Sequence, residues 1–277
     1  MQFMSCQAKV SVLIPAYNMA EYLGTAIESV LSGDYDDVEV ICINDGSTDA
    51  TERVIHQYTE PQSDQYDERV RYFSQPNRGK SVAVNHGISQ MQGEYFTILD
   101  ADDCLPPQSL TRRVEALSSN PDAEIAIGGF EVISETETTP VGERSCPTLQ
   151  NPKYLKHIFC LSYKTPFHLN ACLLSCNIVE RVGLFDHRLS RCQDIDYSIR
   201  CMEEIQEIVR LDAPVYQYRK HRDSTWGRIT TRLATIQHRP RVVLNNFSHP
   251  EKYFYVIIAI IFDIAKIAYE LFSQYKK

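Results

Sequence analysis

Apolar and polar positions recur along the first hundred residues in a repeating unit. Val10-Ser11-Val12-Leu13-Ile14 is a nearly continuous apolar run, as expected of a strand buried on both faces. Pro15-Ala16-Tyr17-Asn18 breaks the run. Leu23, Ile27, Val30 and Leu31 then recur at helical period, behind Asn18 and Glu21 at capping-box spacing. Val38 to Ile43 predicts a second strand, ending on Asn44-Asp45-Gly46-Ser47. Asp49 with Glu52 repeats the cap signature before a helix whose inner face is Val54, Ile55 and Tyr58. A third strand, Val70 to Phe73, leads through Pro76-Asn77-Arg78-Gly79-Lys80 into a helix from about Ser81 to Ser89. The fourth apolar run, Tyr95 to Leu99, stops on Asp100-Ala101-Asp102-Asp103, three carboxylates within four residues.

Strand and helix alternating in this way predict an α/β fold, a mostly parallel sheet sandwiched by helices. Ligands of such sheets bind outside the carboxyl ends of the strands. All four polar clusters, Pro15–Asn18, Asn44–Ser47, Asn77–Lys80 and Asp100–Asp103, fall at those ends, so they predict one site. Paired carboxylates on such an edge suit a hard divalent cation shared with substrate phosphates.

Past Asp103 the alternation fades. Leu110 to Leu117 reads as a helix and Glu124 to Ile133 as a strand. Ser134 to Asn151, rich in Glu, Thr and Pro, reads as an exposed loop. Helical segments are expected around Pro152–Leu161 and Ile178–Gly183, on either side of an apolar strand at Leu169–Ser175. Asp194-Ile195-Asp196-Tyr197-Ser198-Ile199-Arg200 opens a further helix, and Ile208 to Tyr218 reads as a strand.

Composition narrows the class. A chain of 277 residues can bury a full core. A formal charge of −8 argues against nucleic acid as a partner. The nine cysteines are odd in number and scattered, without Cys-x-x-Cys, which predicts reduced structural thiols in a cytosolic protein; a metal shared by Cys172, Cys176 and Cys192 is not favoured. The first nine residues lack the pattern of a signal peptide, so no export is expected. Between Arg219 and Arg241 seven basic residues face the single acid Asp223, a basic arm inside an acidic protein. The tail, Tyr253 to Phe272, is apolar except for Asp263, Lys266 and Glu270. Its uninterrupted run ends at Phe262, too short for a membrane span. Its apolar face is expected to pack on its own domain, on a sister subunit in a homo-oligomer, or on a membrane surface.

Pro15-Ala16-Tyr17-Asn18, Asn44-Asp45-Gly46-Ser47-Thr48-Asp49, Asn77-Arg78-Gly79-Lys80, Asn85-His86-Gly87-Ile88 and Asp100-Ala101-Asp102-Asp103 occur in this order and spacing. Together they resemble the nucleotide-binding half of the inverting GT-A glycosyltransferases of family 2. The resemblance covers about residues 9 to 105 closely and about 165 to 225 more loosely. It implies a nucleotide-sugar-binding half over 1–105, an acceptor-binding half over 106–225, and a basic and helical extension over 226–277.

What the resemblance implies can be set against chemistry. The Asp45 carboxylate would accept the imide N–H of uracil, with Pro15, Ala16, Tyr17 and Glu21 lining base and ribose. Lys80, Asp100 and Ala101 would contact the nucleotide or its sugar, and Asp102 would ligate Mg²⁺ or Mn²⁺ across the pyrophosphate. The family's general base comes from a Glu-Asp pair opening a helix with an Arg about six residues on. Here the match is Gln193-Asp194 with Arg200, so Asp194 is the expected base. Asp196 is its rival, and a simple helix-capping role for Asp194 is the plainer alternative. Tyr218 to Ser224 resembles the family's Tyr…His…Ser segment, which makes His221 a metal or diphosphate ligand, or else a structural histidine. Arg222 and Trp226 are candidates for a lid over the donor. The Ser134–Asn151 loop and the segment around His168 would border the acceptor.

The implied activity is transfer from a UDP-sugar to a glycan or lipid-linked acceptor in surface polysaccharide synthesis, in the cytoplasm or peripherally at the inner membrane face. The alternative is a non-catalytic sugar-nucleotide-binding scaffold of the same fold. A nucleotidyltransferase is disfavoured, because no Gly-rich basic loop follows the first strand.

Overall fold

The computed structural model describes residues 8–134, 140–144, 167–221, 238, 240–246, 255–257, 260, 261 and 264. In chain order the first half runs β1 (Val10–Ala16), α1 (Leu23–Leu31), β2 (Val38–Asn44), α2 (Thr51–Thr59), β3 (Val70–Ser74), α3 (Lys80–Gln90) and β4 (Tyr95–Ile98). The second half adds α4 (Ser109–Ser118), β5 (Ala123–Ile133), β6 (Pro140–Arg144) and a 3-10 turn at Leu169–Ala171. It closes with β7 (Cys172–Ser175), α5 (Asn177–Val182), α6 (Gln193–Glu204) and β8 (Glu207–Arg219).

One eight-stranded sheet carries both halves, in the order β3-β2-β1-β4-β7-β5-β6, with β8 also on β5. The four strands of the first half are parallel, with Val10 opposite both Val38 and Tyr95. Their continuous apolar runs follow from cover on both faces. Leu13, Ile41 and Ile43 pack under α3 residues Ala83, Val84 and Ile88. Val12, Ile14, Val40 and Cys42 pack on the other side with Leu23, Ile27 and Val30 of α1 and Ile55 of α2. Each Val, Leu or Ile among them contributes roughly 1.5–3 kcal/mol on leaving water, before entropy is counted.

The parallel expectation holds for the first half and is modified in the second. β7 lies antiparallel to both β4 and β5, and β6 lies antiparallel to β5, so the sheet is mixed. The expected exposed loop at Ser134–Asn151 contains β6, which extends β5 past a register shift at Val132/Ile133. Arg113 fastens the join. It is fully buried on α4, and its Nη1 donates to Thr97 Oγ1 on β4 and to the Cys172 carbonyl on β7, each at 3.0 Å. Burial lowers its pKa to about 10.

Asn18 does not cap α1, which starts at Leu23. It takes the left-handed conformation (φ 54°) that Asn tolerates better than other side-chain-bearing residues, and its Oδ1 accepts from Thr48 N at 2.8 Å. Asp49 does serve the entrance of α2, its Oδ1 accepting from Thr51 N at 2.9 Å. The helical segment 240–246 buries Val242 and Val243 in the core that holds α6. In the tail, Tyr255 and Val256 pack on that core while Ile257, Ile261 and Ile264 are exposed. Among the described residues no helix is long and apolar enough to cross a membrane. Cys176 donates to the Gly93 carbonyl at 3.0 Å, and among the described residues no cysteine belongs to a metal-ligating cluster. The expected helix at Pro152–Leu161 lies outside the described residues.

Candidate active site

A cavity of about 500 Å³ opens at the carboxyl ends of β1, β2 and β4. Pro15, Ala16, Tyr17, Asp45, Lys80, Asp100, Ala101 and Asp102 all line it, joined by Met19, Asn77, Gly79 and Ala83. Eight residues expected from the sequence therefore converge on one space. Glu21 is exposed in the loop before α1 and is not among the lining residues. Arg222 and Trp226 lie outside the described residues.

The loops that form the cavity are held by one another. Asn18 N donates to Ser47 Oγ at 3.0 Å, Met19 N to Thr51 Oγ1 at 2.8 Å and Ala20 N to Asp49 Oδ2 at 3.2 Å. Asp45 is buried, and its carboxylate organises the loop before α3. Its Oδ1 accepts from Arg78 N at 2.9 Å and Gln75 Nε2 at 2.8 Å, and its Oδ2 accepts from Gly79 N at 2.8 Å. Three donors on a group with about four acceptor positions leave one direction for a ligand N–H. Gly46 makes the turn possible. Its φ is +70°, and a Cβ there would lie 2.6 Å from Asn77 N.

Across the cavity, Lys80 Nζ donates to Asp100 Oδ1 at 2.5 Å. Burial alone would lower the lysine pKa and raise that of the aspartate, but their mutual attraction reverses both, so the pair is held charged. Asp102 Oδ2 meets His221 Nε2 at 2.7 Å, and the imidazole stands edge-on to Tyr22 at 5.4 Å. The structure thus unites the acidic loop with the histidine of the Tyr…His…Ser segment.

Asp100, Asp102 and Asp103 each present a carboxylate oxygen within 4.8 Å of the others. Asp103, however, is engaged inward. Its Oδ2 accepts from Tyr216 Oη at 2.5 Å and its Oδ1 from Arg219 N at 2.7 Å. Burial, and then the charge of Asp100, push its carboxyl up to about 8. Arg219 also donates Nε to the Asp102 carbonyl at 2.6 Å and lies over the Tyr22 ring at 5.3 Å. The carboxylates of Asp100 and Asp102 suit a hard divalent cation, and His221 reaches this loop through Asp102. Tyr216 and Arg219 carried no motif signal beyond strand and basic-arm membership, since their partners lie more than 110 residues away.

Asp194 sits in the first turn of α6, exposed, and its charge acts on both Lys80 and His168. Its rival Asp196 is buried, held by Arg200 Nε at 2.9 Å and Asn246 Nδ2 at 2.8 Å. Asp196 and Arg200 are therefore a structural pair, which leaves Asp194 as the available carboxylate. Cys192, just before α6, is left-handed (φ 61°), a strained conformation for a cysteine.

The family model described as "Glycosyl transferase family 2" matches residues 11–183. An uncharacterized glycosyltransferase of Rickettsia bellii is 33% identical over 202 residues, 68% of this chain and 26% of its own length. An uncharacterized glycosyltransferase of Rickettsia typhi is 30% identical over 188 residues, 68% of this chain and 56% of its own. The chain thus spans between about a quarter and a little over half of these curated relatives. Among solved structures, S. aureus TarS 1–349 in complex with UDP-GlcNAc superposes with TM-score 0.66 at 16% identity, covering 90% of this chain and 70% of TarS 1–349. The mannosyltransferase PcManGT of Pyrobaculum calidifontis, in complex with GDP-Man and Mn²⁺, gives 0.63 at 17% identity, covering 98% and 76%. At that identity the likeness is one of fold. With the family model covering more than half of its residues, the chain belongs to glycosyl transferase family 2.

Proposed function

We propose that the chain is an inverting glycosyltransferase that uses a UDP-sugar and a divalent cation. The observation that carries this reading is the cavity in which Asp45, Lys80, Asp100 and Asp102 converge at the strand ends. The base and ribose lie along Pro15, Ala16 and Tyr17, with the uracil imide N–H donating to the remaining acceptor direction of Asp45. Binding of UDP-GlcNAc by S. aureus TarS, a fold neighbour, is consistent with this donor class.

Asp102, with His221, would hold the cation, Mn²⁺ or Mg²⁺, and an imidazole in the set is better suited to Mn²⁺. When bound, the cation neutralises charge developing on the departing diphosphate. Lys80 adds a fixed positive charge on the same side. Asp194 takes the proton of the acceptor hydroxyl as that oxygen bonds to the anomeric carbon. The bond from that carbon to the diphosphate oxygen breaks on the opposite face, which inverts the centre.

The acceptor is read as a glycan or lipid-linked glycan of a surface polysaccharide, handled at the inner face of a membrane. The basic run from Arg219 to Arg241 and the exposed Ile257, Ile261 and Ile264 support that placement. The test is a panel of nucleotide sugars scored for nucleoside diphosphate release with Mn²⁺, with Mg²⁺ and with chelator. Release from a UDP-sugar that stops with chelator is expected. Release from none of them, under any condition, overturns the reading.

A further inference from the structure

The Asp45 carboxylate is already crowded by its own protein. Oδ1 accepts two bonds, from Arg78 N at 2.9 Å and Gln75 Nε2 at 2.8 Å, while Oδ2 accepts one, from Gly79 N at 2.8 Å. Two of these donors are backbone. The third is a side chain, and it is clamped from behind. Gln75 follows β3, where its N donates to the Asn44 carbonyl at 3.0 Å, and its Oε1 lies 3.1 Å from His86 Nδ1 on α3. The His86 ring in turn lies against Phe73 of β3, 5.6 Å between centroids. A carboxylate only accepts, so the amide nitrogen of Gln75 faces Asp45 and its oxygen faces His86. His86 therefore carries a proton on Nδ1 and donates it. The bonds run from His86 through Gln75 to Asp45, and neither Gln75 nor His86 is among the residues lining the cavity.

We propose that Gln75, backed by His86, sets the base selectivity of the site by limiting Asp45 to a single ligand N–H. This rests on the reading of Asp45 as the acceptor of the nucleobase. Both directions on Oδ1 are taken, which leaves one on Oδ2 at the cavity wall. Uracil brings one N–H on its pairing edge, between two carbonyls, and that single donor fits. Guanine brings two parallel N–H donors, from its ring nitrogen and its amino group, which need one free direction on each carboxylate oxygen. With Oδ1 filled, the second guanine donor is left without a partner, the kind of loss that separates close substrates. Gln75 is a positioning residue here. It acts through Asp45, by filling Oδ1 and by holding the carboxylate against rotation.

The experiment is calorimetry on the full chain with Mn²⁺, comparing UDP, GDP and N3-methyl-UDP, which lacks the imide N–H. The diphosphate and the cation are common to all three and cancel in the ratios. The wild type should prefer UDP to each of the others by at least about ten-fold. Gln75→Ala frees a direction on Oδ1 and lets the carboxylate turn, so its preference for UDP over GDP should shrink about ten-fold. His86→Leu, which removes the donor behind Gln75, should shrink it in the same direction. A loss of stability alone, followed by thermal melting, would weaken both nucleotides together and leave the ratio where it was. Nitrogen NMR of the His86 ring, at a pH where it is neutral, should find the proton on Nδ1 in the wild type. An unchanged UDP-to-GDP ratio in either variant, a wild type that binds the two equally, or a His86 Nδ1 without its proton would each overturn the inference alone. N3-methyl-UDP bound as tightly as UDP would instead sink the reading of Asp45 as the base contact, and the inference with it.

Discussion

Tyr216 and Asp103, 113 residues apart in sequence, share a 2.5 Å hydrogen bond between two buried side chains. The same hydroxyl accepts from Asn170 Nδ2 at 3.0 Å and from Asp100 N at 3.3 Å. One phenol on β8 thereby sets the backbone of the acidic loop. Tyr216→Phe leaves Asp103 short of a donor in a dry site, a loss of about 1–3 kcal/mol. Urea denaturation should show that loss, and Mn²⁺-supported UDP binding should weaken with it, because the loop carries the carboxylates proposed to hold the cation.

Glu39 separates fold from function. It is buried at the start of β2, away from the cavity, where its Oε1 accepts from Ser11 Oγ and Gln92 N and its Oε2 from Arg71 Nη1, each at 2.6 Å. Burial would raise its pKa, but these bonds outweigh it and the net shift is downward. A lowered folded pKa means that the stabilisation is complete above the unfolded value of about 4.3 and is lost as pH falls through the folded value. Glu39→Gln should lower the urea midpoint at pH 7, flatten the acid limb of stability against pH, and leave UDP affinity unchanged.

Gly46 is held to glycine by two independent constraints, a φ of +70° and a Cβ position 2.6 Å from Asn77 N. The backbone term alone costs an L-residue about 1–2 kcal/mol. Gly46→Ala should lower the melting temperature and, by shifting the 77–79 loop bound by Asp45, weaken UDP binding; calorimetry reads both.

Asp194→Asn removes the carboxylate proposed to take the acceptor's proton and keeps the shape. Transfer to acceptor should fall by about 100- to 10,000-fold while UDP affinity holds. Asp196→Asn should behave differently, because Asp196 pairs with Arg200 and Asn246 inside the fold; its loss should appear in stability.

The first half of the fold was legible because a doubly covered parallel strand needs an unbroken apolar run, and the chain must turn with polar residues at each strand end. Val10–Ile14 and Tyr95–Leu99 show this, and eight expected site residues lie together as a result. The second half was less so. The four residues of β7 carry no mark of direction, so their antiparallel seat between β4 and β5 could not be read locally. β6 lies in a polar stretch at the sheet edge, where one face sees solvent and the apolar pattern is weak. Asn18 fits a cap as well as a left-handed turn, and only its bond to Thr48 decides between them. Asp196 is held in part by Asn246, fifty residues distant, a bond that sequence spacing does not reveal.

The most direct measurement is calorimetric titration of UDP into the wild type with Mn²⁺, into the wild type with chelator, and into Asp102→Asn with Mn²⁺. The cavity and its acidic loop predict binding in the first case and at least a ten-fold loss, about 1.4 kcal/mol, in the other two. No UDP binding with Mn²⁺, or equal affinity in all three titrations, would contradict a metal-dependent UDP-sugar site.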